Sequence, residues 1–358
     1  MKRLAAVTVV TVLMVTATLL TAGCLDSDDD EWDGTIRVAY LQGDIHQVAY
    51  FVAKSASAGG GESFFEQYGV KVENAKGAPY PAGGAVMDAF QAGDVDIGYL
   101  GSPPAIIGHV NAEIPTKVIG QVNSLGSALV VKDDILTAQD LKGKTIATPL
   151  PSSIQHFMLL TYLEDNGLEL GDGPDKVTVT TVGVALMKAS MESDEIQGFI
   201  AWQPFPADAV DSGVGHVLAD STDIWPGHIC CVVGTMEKFA KDHPDEVTDY
   251  LRAHVAATKW MQQAMADKQS DDYALLVQIS VDFTGRNENV VKDALDGMDY
   301  NYALDGPFKT SFTEYVDKLI DQGTLTQEAM DNMGYATGQD LTDKYVDDKF
   351  IKDAETSL

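Results

Sequence analysis

The stretch F-Q-A-G-D-V-D-I-G-Y-L-G-S-P-P-A-I, Phe90–Ile106, sets the reading of the chain. A helix ends near Gly93, because glycine at a C-cap takes the left-handed conformation that other residues avoid. Val95–Tyr99 reads as a short buried strand. Gly98, Gly101, Ser102, Pro103 and Pro104 then form a turn in which backbone can come close to a ligand. Pro104 suits the first turn of a new helix, and Ser102 or its successor suits the N-cap. A strand followed by a glycine turn and a helix N-terminus leaves backbone N–H groups free at a crevice.

The same pattern recurs on both sides. Thr35–Leu41 alternates as a first strand, Gln42-Gly43-Asp44 is a turn, and Ile45–Ser57 is the helix after it. Gln42, Asp44 and His46 therefore sit at the C-terminal edge of a strand, where open α/β sheets bind ligands. Gly59-Gly60-Gly61 lacks a following G-K-[ST] and reads as a loop rather than a phosphate cradle. Val70–Asn74 is a second strand and Gly83–Ala92 the next helix. Downstream, Thr116–Val122, Ala128–Val131, Thr145–Thr148, Val177–Val182 and Glu195–Trp202 read as strands. Pro149–His156 leads into a helix to about Asn166, with Ser152 or Ser153 as N-cap. Leu186–Ser193 is helical. His216–Leu218 and Ile229–Val233 are return strands. From Met236 onward apolar residues recur at helical spacing through Val247–Met265, Tyr273–Val281, Val290–Tyr302 and Phe312–Ile320.

The fold class is therefore α/β, with two lobes joined by a hinge that the chain crosses twice, near Gln121–Val131 and near His216–Val233. Residues 34–122 with 226–358 are expected in the first lobe and 123–225 in the second. A ligand would lie in the cleft between them.

Composition narrows the partners. The chain has 358 residues, 45% hydrophobic, with formal charge −30 and four arginines. Nucleic acid is excluded as a partner on this balance, because phosphate contacts need basic side chains. The acidity fits either a salty habitat or ordinary solubility. Lys2 and Arg3 precede an uncharged apolar run, Leu4–Ala22, which ends at Thr21-Ala22-Gly23-Cys24. This is a signal peptide, residues 1–23, with a lipid attached at Cys24, or else an uncleaved membrane helix. Either places the protein outside the cytoplasm, tethered at its N-terminus, with residues 24–33 as an acidic tether. Cys230 and Cys231 are neighbours, and neighbours on a strand point to opposite faces. They read as two small buried residues. A vicinal disulfide is the second reading, and a metal pair the least favoured, since no C-x-x-C spacing accompanies them.

Several stretches together resemble the nitrate/sulfonate/taurine-type substrate-binding lipoproteins of ABC importers, whose relatives also bind thiamine-precursor pyrimidines. They are A-Y-F-V-A-K at Ala49–Lys54, F-F-E-Q-Y-G-V at Phe64–Val70 and D-A-F-Q-A-G-D-V-D-I-G-Y at Asp88–Tyr99. D-L-K-G-K-T-I-A-T-P at Asp140–Pro149, Ser153 with His156, F-I-A-W-Q-P-F at Phe199–Phe205 and K-Y-V-D-D-K-F at Lys344–Phe350 continue the series in order. The triple glycine and the Cys230-Cys231 pair depart from it. The resemblance implies a type II periplasmic-binding-protein fold, a small-molecule ligand, and a permease and an ATPase as partners. No cofactor, no resident metal, no catalysis and a monomer are expected. The resemblance also implies a pocket built from the loops Gln42–His46, Gly98–Pro103, Asn123–Ser127, Thr148–His156 and Trp202–Pro204. The candidate ligand-binding residues are Gln42, Asp44, His46, Tyr99, Gly101, Ser102, Asn123, Ser152, Ser153, His156, Trp202 and Gln203.

These loops contain no arginine or lysine. Phosphates and dicarboxylates, which recruit arginine forks, are disfavoured. A sulfonate or nitrate held by helix N-termini and hydroxyls fits, and so does a neutral heteroaromatic ring on Trp202 or Tyr99. The alternatives are a sensory lipoprotein of the same fold, an enzyme of the pyrimidine-synthase or dehydratase type, and a metal receptor using His46, His156 and His228.

Overall fold

A computed structural model describes residues 32–357. The apolar run Leu4–Ala22, Cys24 and most of the acidic tether lie outside the described residues. In chain order the strands are β1 (Thr35–Ala39), β2 (Lys71–Asn74), β3 (Ile97–Gly101), β4 (Thr116–Gln121), β5 (Asn123–Leu125), β6 (Ser127–Val131), β7 (Thr145–Thr148), β8 (Glu169–Leu170), β9 (Lys176–Thr181), β10 (Gly198–Trp202), β11 (His216–Asp220), β12 (Cys231–Met236) and β13 (Met298–Tyr300).

They form two principal sheets, ordered β2-β1-β3-β12-β4 and β11-β6-β10-β7-β9-β8. In the first, β1 pairs in parallel with β2 and β3, while β12 runs antiparallel to β3 and β4. In the second, β10 pairs in parallel with β7 and antiparallel with β6. The central strands carry unbroken apolar runs: G-F-I-A-W in β10 and S-A-L-V-V in β6 are buried throughout. Strands covered on both faces need that composition. The edge strand β2, K-V-E-N, is largely exposed, and its charges discourage further pairing.

The opening stretch folds much as its residues require. Gly93 caps the helix Gly83–Ala92 at φ 77°. Gly98 lets that helix lie on the sheet, since a Cβ there would stand 2.9 Å from the Phe90 ring. The strand starts and ends two residues later than its apolar content suggests, at Ile97 and Gly101. Gly101 is the N-cap of the helix Ser102–Asn111, and Ser102 lies in its first turn. The Ser102 hydroxyl donates to the Cys230 carbonyl at 2.9 Å instead of capping.

Two other elements differ from the sequence reading. Ile45–Ser57 is a 3-10 turn, Ile45–Gln47, followed by a short helix, Val48–Ala53. Asp44 accepts the His46 N–H and so starts the tight turn. The helical run Val290–Tyr302 breaks at Gly297. Beyond it Met298 and Tyr300 are buried and Asp299 exposed, the two-residue period of a strand, because β5 offers an antiparallel partner.

The chain leaves the first sheet after β4 and returns at β12, and the two crossings are tied together. Ser124 and Ile229 form an antiparallel bridge. The Cys230 N–H donates to the Asn123 carbonyl at 3.0 Å and the Cys231 N–H to Asn123 Oδ1 at 3.2 Å. The two crossing segments are therefore bonded to each other, and β13 pairs with the first of them at β5.

Candidate ligand-binding cleft

A cleft of about 430 Å³ lies between the two sheets. Leu41, Asp44, His46, Ala82, Gly83, Gly84, Gly101, Pro104, Cys230 and Cys231 line it from the side of the first sheet. Pro149, Leu150, Ser152, Ser153, Ile154, Gln155 and Trp202 line it from the other. No lysine or arginine is among them.

Three helices begin at this cleft: Gly83–Ala92, Ser102–Asn111 and Ile154–Asp165. Their N-caps differ. Ser153 caps its own helix by accepting the His156 N–H at 3.2 Å. Ala82 and Gly101 have no capping side chain. At Gly83–Ala92 the first N–H groups, on two glycines with no side chain to shield them, are left for whatever enters. Gly83 is also needed for packing, because a Cβ would approach Pro104 to 2.6 Å. The aligned peptide dipoles place partial positive charge at all three helix starts. Across the cleft Trp202 is buried, and its indole N–H has no partner among the described residues. A buried donor without an acceptor is rare unless something else supplies one.

A second cluster occupies the wall of the first sheet. His46 Nδ1 stands 3.2 Å from Cys230 Sγ and 3.8 Å from Cys231 Sγ, and the sulfurs are 3.9 Å apart. Both cysteines are free thiols. They face the same way because Cys230 precedes β12, whose strand geometry begins only at Cys231. The expectation of opposite faces fails for that reason. His46 Nε2 donates to the Gly126 carbonyl at 2.8 Å. Gly126, at φ 84°, must be glycine for this approach, since a Cβ would lie 2.6 Å from Nε2.

The electrostatics follow from burial and proximity. Burial pushes the Asp44 carboxyl up to about 7, against the pull of His46. Burial works against protonation of His46, but the Cys230 sulfur and Asp44 outweigh it and raise the ring to about 9. Burial likewise opposes ionisation of Cys230, yet Cys231 and His46 bring its thiol well below the ordinary range. Cys231 is held well above its ordinary range by Cys230 and by burial. The two shifts run in the directions that favour a charged His46 beside a charged Cys230.

The candidate residues fall into two groups. Asp44, His46, Gly101, Ser152, Ser153 and Trp202 meet at the cleft. The other six do not line it. Gln42 is exposed beside Phe205 and Arg286. Tyr99 is buried, accepting from Tyr250 Oη and bonded to His254 Nδ1. Ser102 and Asn123 hold the backbone of Cys230 and Cys231. His156 bonds Thr148 Oγ1 and opens onto a different surface. Gln203 accepts from the Ala207 N–H and lines a neighbouring hollow. Cys230, Cys231 and the Ala82–Gly84 helix start were not among the candidates. The uncapped Gly83-Gly84 start was readable from the sequence. The convergence of the two sulfurs was not, because it depends on where β12 begins.

A profile of the NMT1-like family matches residues 48–275. The chain belongs to this family. This NMT1-like chain is 28% identical over 309 residues to the taurine-binding periplasmic protein of Escherichia coli, covering 82% of this chain and 90% of that protein. Its fold is similar to that of the periplasmic nitrate-binding protein NrtA from Synechocystis, with a TM-score of 0.74 at 16% identity over 91% of this chain and 89% of that one. It is also similar to the alkanesulfonate-binding protein SsuA from Xanthomonas axonopodis pv. citri bound to MOPS, with a TM-score of 0.66 at 18% identity over 82% and 94% of the two chains. The type II periplasmic-binding-protein fold is thus that of the NMT1-like chain. No helix among its described residues is long and apolar enough to cross a membrane.

Proposed function

We propose that this NMT1-like protein is the extracytoplasmic solute-binding component of an ABC importer and that its cargo is a small sulfonate. Two helix starts with free N–H groups, Gly83–Ala92 and Ile154–Asp165, converge on a cleft without lysine or arginine, and this carries the reading. The Ser102–Asn111 start adds little, because Pro103 and Pro104 have no N–H and the Ser102 N–H is bonded to the Cys230 carbonyl. A monovalent tetrahedral oxyanion needs several N–H donors and no full counter-charge, which helix N-termini supply. The unpartnered Trp202 N–H adds a donor and its ring an apolar wall for the organic part. The taurine- and alkanesulfonate-binding relatives support the same class. Donors come from both sheets, so neither half satisfies the ligand alone, and binding favours the closed arrangement. Residues 34–122 with 226–358 and residues 123–225 are the two closing lobes in this reading. Cys24 carries the lipid that holds the protein, as a monomer, beside its permease and ATPase.

The test is a thermal-shift and calorimetric panel on the purified full-length chain, with taurine, alkanesulfonates, nitrate, bicarbonate and hydroxymethylpyrimidine. A sulfonate at a hundred times its dissociation constant is expected to stabilise the fold by about 2.7 kcal/mol. No shift with any sulfonate overturns the cargo class. A second reading rests on the Cys230–His46 pair, since a thiolate beside an imidazolium is also how a cysteine nucleophile is activated. Turnover of a bound solute by the purified protein would make it an enzyme.

A further inference from the structure

Anion capture leaves His46, Cys230 and Cys231 unused, although all three line the cleft and are buried. Their ligand-type atoms lie within 4.8 Å of one another. The separations are informative. A tetrahedral zinc ion with Zn–S of about 2.3 Å and Zn–N of about 2.0–2.1 Å needs S···S of roughly 3.8 Å and N···S of roughly 3.6 Å. The observed S···S is 3.9 Å, and the two N···S distances are 3.2 and 3.8 Å. A shift of a few tenths of an ångström closes the difference.

The histidine is already oriented for the task. Its Nε2–H is committed to the Gly126 carbonyl at 2.8 Å, so in the neutral ring the lone pair is on Nδ1, the atom facing both sulfurs. Metal-bound histidines are held in this way by a carbonyl or carboxylate on the far nitrogen. The cysteines are pinned through their backbone. Asn123 takes both N–H groups, and Ser102 bonds the Cys230 carbonyl. Two thiolates neutralise a divalent cation, which a buried site requires.

We propose that His46 Nδ1, Cys230 Sγ and Cys231 Sγ bind one thiophilic divalent cation, with the chemistry of Zn²⁺, and that its fourth position opens into the cleft. Three protein ligands and one open position distinguish a site that takes an exogenous ligand from a closed structural one. Soft thiolates select against magnesium and calcium. The fourth position accepts water or an anionic atom of a solute. The site does not depend on the importer reading, because it needs only the three side chains.

The experiment uses the full-length protein, reduced and stripped with a chelator, then titrated with Zn²⁺ alone and, in parallel, with Co²⁺. One equivalent of zinc is expected to survive desalting, measured by elemental mass spectrometry. The cobalt form is expected to show thiolate-to-cobalt charge transfer and the visible bands of a tetrahedral ion. Cys230→Ser, Cys231→Ser and His46→Gln are each expected to weaken zinc at least a hundredfold, while His216→Gln leaves it unchanged. Melting curves establish that each variant is folded. If a variant does not fold, the wild-type protein still decides the matter. Zinc should protect Cys230 and Cys231 together from maleimide, as mapped by peptide mass. Failure to retain one equivalent, retention indifferent to the three variants, cobalt spectra without thiolate bands, or unprotected thiols would each overturn the proposal. Sulfonate binding by the stripped protein is measured separately, so loss of the metal site and loss of the cargo reading give different results.

Discussion

Two imidazoles hang from the same crossing segment. His254 donates Nε2–H to the Gln121 carbonyl at 2.8 Å, and His46 donates Nε2–H to the Gly126 carbonyl at 2.8 Å. Both rings are fully buried. They differ in what faces Nδ1. At His254 it is the Tyr99 hydroxyl at 3.3 Å, itself bonded to Tyr250 Oη at 3.1 Å, so every donor has an acceptor. At His46 it is a pair of sulfurs and the Asp44 carboxylate at 3.7 Å, beside a cleft. Burial drives His254 down to about 4, whereas the charges around His46 overcome burial and raise it to about 9. A closed polar network stabilises a core, while one left open on one side is prepared for something not yet present.

The comparison breaks most visibly if His254 is removed. His254→Ala would orphan the Gln121 carbonyl and the Tyr99 hydroxyl and leave a cavity, a loss of roughly 4 kcal/mol in urea unfolding. His46→Gln, keeping a donor for Gly126, should cost less than half as much. Acid gives the next effect. His254 and His109 both sit near 4 in the folded protein, with burial the main cause. Unfolded, each takes a proton near 6.5, so their contribution is intact above that pH and is lost as pH falls towards 4. The loss is about 3 kcal/mol per histidine. Denaturant midpoints at pH 7, 5.5 and 4 in wild type and His254→Gln measure it, and a flat profile would sink the assignment. Gly126→Ala follows. Its Cβ would press on Met298 Sδ and His46 Nε2 at a positive φ, costing about 2 kcal/mol and displacing the ring. A His46 proton resonance that does not move in that variant would show that the carbonyl is not what orients it. The smallest change is Trp202→Phe, which keeps the wall and removes the N–H. Cargo affinity should fall by about 1 kcal/mol, roughly fivefold. Unchanged affinity would leave Trp202 as a wall alone.

The difference between the two histidines also marks what the sequence could disclose. The strand–turn–helix units around Gly93–Pro104 and Thr148–His156 were legible because glycine, proline and serine act locally, within a few residues. Asp44, His46, Ser152, Ser153 and Trp202 reached the cleft because each follows a strand end, and strand ends meet there. Tyr99, inside β3, and Asn123, just after β4, turn inward instead, to His254 and to the backbone of Cys231. No local rule decides between inward and outward at such positions. Cys230 was misjudged for a related reason. Strand alternation predicts opposite faces, but β12 starts at Cys231, two residues later than the reading Ile229–Val233, so Cys230 lies outside the alternating strand. The strand Met298–Tyr300 was hidden inside a helical pattern because its partner lies far away in the chain, at Asn123–Leu125.

The uncapped start of Gly83–Ala92 has a consequence for how this protein can change. Its donors are peptide groups, so no substitution except proline deletes them and no neighbouring charge has to be inherited alongside them. Affinity built this way should be nearly indifferent to ionic strength, having no lysine or arginine for salt to screen. Selection can then exchange one cargo for another by altering walls such as Trp202 or Ile154. The means of holding charge stays constant through that drift, written in where a helix begins and not in which residues it contains.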